Sequence, residues 1–172
     1  MQGASEQPGI ESPEPKANEV LGPYRVRKFI ARGGMATVFS AQDERSGNVV
    51  ALKLLLAVAH DEEARSRFRR EFRALSRLEH PNVLQVFEWG LRGSRPWYSM
   101  ELVNGLDLRG EVENWSTLTP ADRFTRVQGI LTQVARALAY IHDRGLIHRD
   151  ITPANIMVKP DGVVKLMDFG VV

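Results

Sequence analysis

Three alternating segments follow one another between residues 24 and 56. Tyr24 to Ile30, Thr37 to Ala41 and Val49 to Leu56 read as strands, and the links between them are turns: Gly33-Gly34 in the first, Asp43 to Asn48 in the second. A parallel pair needs a crossover of a dozen or more residues, so links this short make the strands an antiparallel meander. The third segment belongs to the longest apolar run, Val49 to Ala59. Lys53 breaks that run, which is too short to span a bilayer.

The sequence from Asp61 to Leu78 changes period. Phe68, Phe72 and Leu75 recur at i, i+4 and i+7, with Leu78 continuing the stripe. Arg65, Arg69, Arg70, Arg73 and Arg77 fall mostly off it; with Glu71 and Glu79 interleaved they read as a solvated face, a basic docking face being the alternative. His80-Pro81-Asn82 ends this helix. Val83 to Trp89 and Trp97 to Val103 are read as two more strands around a turn at Gly90 to Arg95. Thr119-Pro120-Ala121-Asp122 opens a second helix, with Thr119 as cap, Pro120 at the first position and Asp122 placed for a capping box. Val127, Ile130, Leu131, Val134, Leu138 and Ile141 form its apolar stripe, and Gly145 its stop. Asn155 to Val158 and Val163 to Met167 pair across Lys159-Pro160-Asp161-Gly162. The expected class is α+β: a five-stranded antiparallel sheet with one inserted helix, then a mainly helical region, meeting near Glu101 to Gly105.

Composition narrows the chemistry. Twenty-three basic against twenty-one acidic residues give a net charge of +2, which excludes polyanion binding by bulk charge and so argues against nucleic acid as partner. No cysteine is present, which removes disulfides, zinc ribbons, iron–sulfur clusters and thiol nucleophiles. With no secretory pattern at the N-terminus, a cytoplasmic location is expected. Residues 1–19, with Pro8, Pro13, Pro15 and four glutamates against Lys16, are expected to be a disordered tail.

The chemistry concentrates in His148-Arg149-Asp150-Ile151-Thr152-Pro153-Ala154-Asn155, followed after a hairpin by Asp168-Phe169-Gly170. Together, in this order and spacing, these strings resemble the protein kinase family, most nearly the bacterial serine/threonine kinases of eukaryotic type. Val50-Ala51-Leu52-Lys53 matches the family's lysine motif, and Glu71 lies where the family places the lysine's partner. The resemblance covers residues 20 to 172 and implies a two-lobe fold: an N-lobe with hinge over 20–103 and an incomplete, mainly helical C-lobe over 104–172. It implies an ATP- and Mg²⁺-dependent kinase acting on a serine or threonine of a protein substrate. Lys53, held by Glu71, would meet the α- and β-phosphates. Asp150 would take or orient the substrate hydroxyl proton. Asn155 and Asp168 would hold the metal. Met100 resembles the gatekeeper, with the Glu101 carbonyl and Val103 amide facing the adenine edge. Ala51 and Val38 belong to the same nucleotide site. His148, Phe169, Leu75 and Val86 resemble the family's stacked spine.

The pattern departs from the family in three places. Its glycine loop falls on Ala31-Arg32-Gly33-Gly34-Met35-Ala36-Thr37-Val38, so Ala31 and Ala36 stand where the outer glycines would be and Gly34 is additional. Thr152 replaces a lysine that contacts the γ-phosphate; its hydroxyl could still orient Asp150. The sequence stops at Val172, before the family's activation segment and peptide-docking elements. The expectation is therefore an N-terminal portion of a kinase domain whose second helix leaves an apolar face open to self-association. The alternatives are a pseudokinase-like nucleotide-binding docking module and a non-functional fragment.

Overall fold

The structure is a computed structural model and describes residues 14–56 and 62–168. The meander forms: β1 (Val20–Leu21), β2 (Tyr24–Arg32), β3 (Ala36–Asp43) and β4 (Val49–Leu55) are followed by α1 (Glu62–Leu75), β5 (Val86–Arg92) and β6 (Arg95–Glu101). They make one antiparallel sheet in the order β1-β2-β3-β4-β6-β5. The five expected strands are joined by one more, the two-residue edge strand β1. Its pairing with Tyr24 and Arg25 carries no periodicity to read.

Strand parity explains the layering. Val50, Leu52 and Leu54 of β4 face one side and pack with Tyr24, Val26, Phe39 and Trp97. Ala51 and Leu55 face the other and meet Phe68 and Phe72 of α1 together with Tyr98 and Met100. Both faces of β4 are covered, and Lys53 shares the α1 side of the strand. Each buried phenylalanine of α1 contributes roughly 1.5–3 kcal/mol through its apolar area.

The second part begins with β7 (Leu106–Asp107), α2 (Leu108–Glu113) and a 3-10 turn at Asn114–Thr117. Then come α3 (Pro120–His142), a 3-10 turn at Pro153–Asn155, and the hairpin β8 (Ile156–Val158) and β9 (Val164–Leu166). The sheet order is β7-β8-β9. Its core joins Ile130, Val134, Ala137 and Ile141 of α3 to Ile156, Val158, Val164 and Leu166. Gly145 ends α3 at φ 71°, the left-handed conformation that glycine takes without strain.

Several expected boundaries shift for identifiable reasons. Val83 and Leu84 do not enter β5 because β9 takes them: Val83 bridges Leu166, and Leu84 N donates to Leu166 O at 3.0 Å. Strand β6 stops at Glu101, the partner of Val50; only Val49 of β4 lies beyond that pair, so Val103 has no β4 residue to pair with. Helix α1 ends at Leu75 rather than Leu78. The capping box on α3 is only half made. Thr119 Oγ1 accepts from Asp122 N at 3.2 Å, but the Asp122 carboxylate takes the Thr119 hydroxyl instead of the backbone amide. The expected apolar stripe of α3 splits in two: Ile130, Val134 and Ile141 are buried, while Val127 and Leu131 lie with Phe124 on an exposed outer row.

The tail needs a correction over its last six residues. Asn18 N donates to Val26 O and Val26 N to Glu19 O, each at 2.9 Å, and Glu19 pairs with Arg92 at 2.6 Å. Backbone pairing and an ion pair with a largely buried arginine outweigh the polar composition there. Residues 1–13 lie outside the described residues, as do 57–61 and 169–172. Among the described residues no helix is long and apolar enough to cross a membrane.

Candidate active site

Where the two parts meet, a cleft of about 650 Å³ opens. Its roof is the β2–β3 hairpin, with Ala31, Gly33, Gly34, Ala36 and Val38. Its back is Ala51 and Lys53 of β4 with Met100, Glu101 and Val103. Its floor is Asp150, Asn155 and Asp168. Sequence reading assigned these residues to a nucleotide site, and Asp150 to the substrate hydroxyl; all of them line this one space.

The segment from His148 to Asn155 is fixed by its own hydrogen bonds. Asn155 spends both amide hydrogens on Asp150, one on the backbone oxygen at 3.0 Å and one on Oδ2 at 2.9 Å. That leaves the Asn155 carbonyl oxygen turned away from Asp150. His148 is buried, with Nδ1 accepting from Asp150 N at 3.3 Å and Nε2 at 2.7 Å from Met167 O. The first contact requires a bare Nδ1, so the proton sits on Nε2 and donates to Met167 O. Burial agrees, pushing the His148 pKa below the usual imidazole value; the hydrogen bond to Met167 and the charges of Asp150 and Asp168 pull weakly the other way. Arg149 at φ 67° and Asp168 at φ 54° are left-handed without being glycine. Such backbone costs about 1–3 kcal/mol per residue and persists only where surrounding contacts hold it.

Lys53 is only 15% exposed and pairs with Asp168. It stands opposite Tyr98 across the β4–β6 ladder, its ammonium 6.0 Å from the ring centroid. The Tyr98 hydroxyl is buried and its pKa is raised, by desolvation first and the Asp168 charge second, so it stays protonated. Glu71 lies on α1; its side chain, and the whole of Phe169, are outside the described residues. Leu75 and Val86 pack in the core beside α1. Thr152 does not line the cleft; it precedes the 3-10 turn, and its backbone oxygen accepts from Asn155 N at 3.0 Å.

The donor set suits a hard cation. A carboxylate at Asp168 and an amide oxygen at Asn155 are the oxygen ligands Mg²⁺ takes, the rest of its shell being water and phosphate. Among the described residues no cluster of three or more His, Cys, Asp or Glu forms, and Asn155 and Asp168 would supply two oxygen ligands of such a shell.

Sequence reading missed Tyr98, Met157, Met167, Leu84, Arg32 and Asp107, which also line the cleft. For Met157 a signal existed. Ile156 and Val158 are core residues, so parity turns the residue between them toward the opposite face. Asp107 caps α2, its Oδ1 accepting from Gly110 N at 2.8 Å; its place in the cleft follows only from the fold.

A family model described as protein kinase domain matches residues 24–172. The serine/threonine-protein kinase PknE of Mycobacterium bovis is 35% identical over 159 residues, covering 92% of this chain and 27% of the relative. The probable serine/threonine-protein kinase SCO3848 of Streptomyces coelicolor is 40% identical over 155 residues, covering 87% of this chain and 22% of the relative. The crystal structure of the PknI kinase domain of Mycobacterium tuberculosis superposes with a TM-score of 0.78 at 33% identity, covering 92% of this chain and 64% of that one. The chain thus spans about a quarter of the length of these curated relatives and under two thirds of the solved domain.

Proposed function

This chain belongs to the protein kinase family, and from that premise we propose that it carries the nucleotide and phosphoryl-transfer site of an ATP-dependent serine/threonine protein kinase. The observation that carries the reading is the convergence of Lys53, Asp150, Asn155 and Asp168 on one cleft whose back edge is the Glu101–Val103 backbone. Adenine would lie against that backbone, between the apolar side chains of Val38, Ala51 and Met157. The Lys53 ammonium would exchange its Asp168 partner for the α- and β-phosphates, with Glu71 as its expected second partner. Asp150, its carboxylate oriented by Asn155, would accept the proton of the substrate hydroxyl as that oxygen attacks the γ-phosphorus and ADP leaves. Mg²⁺, held by Asn155 and Asp168, supplies neutralisation of phosphate charge when bound. The substrate is a protein serine or threonine.

The test is direct. Calorimetric titration with Mg-ATP should show saturable binding, and phosphoryl transfer by the kinase should fall about 10²–10³-fold in Lys53→Ala, the scale of removing one charge-stabilising donor. An unchanged rate in Lys53→Ala defeats the assignment. Thr152 favours a second reading, a docking module that binds nucleotide without turning it over. ATP binding with transfer no higher than in Asp150→Asn would select it. For the outer row of α3, where Phe124 is 70% and Leu131 55% exposed, we expect self-association. Sedimentation should show it in the wild-type chain and show less of it in Leu131→Lys.

A further inference from the structure

Helix α1 carries arginines that neither the core nor the cleft uses. Phe68 and Phe72 turn into the core, and at 3.6 residues per turn Arg70 and Arg73 fall roughly opposite them. Ser76 N still donates to Phe72 O at 2.8 Å, so the chain keeps its helical course past Leu75 and Arg77 continues the row. All three arginines are exposed. With Ser66, Arg69 and Ala74 they border a shallow space of about 520 Å³. None of them lines the cleft.

Arg69 is already engaged: its guanidinium carbon lies 5.5 Å from the Trp89 ring centroid, and its Nη1 lies 3.3 Å from Glu62 Oε1. Arg70, Arg73 and Arg77 have no ion-pair partner among the described residues. Glu79, interleaved with them in the sequence, lies beyond the helix with its amide on the Tyr140 hydroxyl and pairs with none of the three. A helix C-terminus favours a cation, but cations three and four residues apart repel one another. Carboxylates arriving from outside would relieve that repulsion.

The shape of the row narrows the partner. From Arg70 to Arg77 it runs about 10 Å along the axis, at 1.5 Å per residue. Its neighbours Ser66 and Ala74 offer neither an aromatic ring for a base to stack on nor a large apolar side chain to enter a bilayer, and Arg69 lies over Trp89. The whole chain carries only +2, so no wide basic field draws a long polyanion. A short acidic run of a protein matches the row in length and charge, and guanidinium forks take carboxylates in pairs of hydrogen bonds. We propose that Arg70, Arg73 and Arg77 form a docking surface for an acidic segment of a protein partner. Docking on this face leaves the cleft open, and the surface stands whether or not the cleft binds nucleotide.

Fluorescence anisotropy of a labelled oligoglutamate peptide with the full chain tests this, with oligoglutamine of the same length as the blank. Oligoglutamate should bind saturably, oligoglutamine should not, and affinity should fall as salt rises. Arg70→Gln, Arg73→Gln and Arg77→Gln should each weaken binding about two- to fivefold, and the triple variant by more than about tenfold. If the triple variant melts early, the single variants decide. Arg109→Gln, which removes an exposed cation of α2, should change nothing. The proposal is overturned if oligoglutamate does not bind, if the three variants bind it as well as the wild type does, or if Arg109→Gln weakens it equally. It is also overturned if a single-stranded oligonucleotide or phosphatidylserine vesicles bind more tightly than oligoglutamate and lose that binding in the same variants, since the row would then serve another class of partner.

Discussion

His148 links the charge state of one residue to the stability of the whole site. It is buried neutral, its pKa held below the usual value, and the half-buried His80 is lowered too, by desolvation and the charges of Arg144, Lys165 and Arg136. Between the folded and unfolded values the unfolded chain binds more protons, so stability is fully present above about pH 6.5 and is lost as pH falls toward the folded pKa. Denaturant melts from pH 7.5 to 5 should show this loss, with a shallower slope in His148→Gln; a slope unchanged in that variant and in His80→Gln would place the titration elsewhere. Thr37 makes a second residue-level case. Its hydroxyl is fully buried in β3 with no hydrogen-bond partner among the described residues, so it carries an uncompensated desolvation cost. Thr37→Val should raise stability by about 1 kcal/mol, read as a higher denaturation midpoint at unchanged m. The contrast with Lys53, Asp150, Asn155 and Asp168 shows what sequence reveals. Those four are marked in the sequence by side-chain type and spacing, the pattern that carries the resemblance to the protein kinase family. Tyr98, Arg32 and Thr37 have no such signature. What each does depends on which strand lies opposite or which segment arrives from the N-terminus.

At the scale of elements, turn chemistry and periodicity marked the two long helices, α1 and α3, and most strands but not the short α2, while tertiary pairing set their ends. Val83 and Leu84 look like strand residues of the first sheet, yet β9 binds their backbone. Leu102 and Val103 are apolar enough to extend β6, yet the ladder ends at the Val50–Glu101 pair and β4 has only Val49 beyond it. Gly105 is a similar case, invisible in sequence except as a residue at the junction. A Cβ there would sit 2.4 Å from the Val158 backbone oxygen and 2.9 Å from its carbonyl carbon, so the segment entering β7 can approach β8 only through a glycine. Neither obstacle is a movable side chain. Gly105→Ala should therefore displace β7 from β8 and cost about 1–3 kcal/mol. The same substitution at Gly129, where a Cβ meets nothing within 4 Å on helix α3, should be neutral or stabilising. Equal melting behaviour of the two variants would remove the steric account of the β7–β8 junction.

For the molecule as a whole, the question is what makes two separately cored parts behave as one. The sheet of β1 to β6 and the cluster around α3 have their own apolar interiors, and Leu75 packs against both. The remaining ties run through the connector between α1 and β5 and through the back of the cleft. Asn82 is buried and donates to Gln133 Oε1 at 2.8 Å and to Val164 O at 2.9 Å, while its own backbone oxygen accepts from Leu166 N at 2.9 Å. Next to it, His80 stacks on Tyr140 at 4.8 Å between ring centroids, and Tyr140 takes the Glu79 amide at 2.8 Å. Across the hinge, Lys165 of β9 meets Glu101 at 2.7 Å. These contacts are polar and directional, so they fix the relative placement of the two parts in a way that apolar burial does not. Asn82 is the most enclosed of them, and its loss strands the Val164 carbonyl in a place water does not reach. Asn82→Ala should cost about 2–3 kcal/mol and split a single unfolding transition into two, with the α3 part melting first because its apolar outer row gains nothing from folding. Gln133→Ala removes a less buried partner and should lower the midpoint while keeping one transition. If Asn82→Ala still unfolds in one step, followed by both tryptophan fluorescence and far-ultraviolet dichroism, the apolar contacts of Leu75 and the hinge are enough to couple the parts.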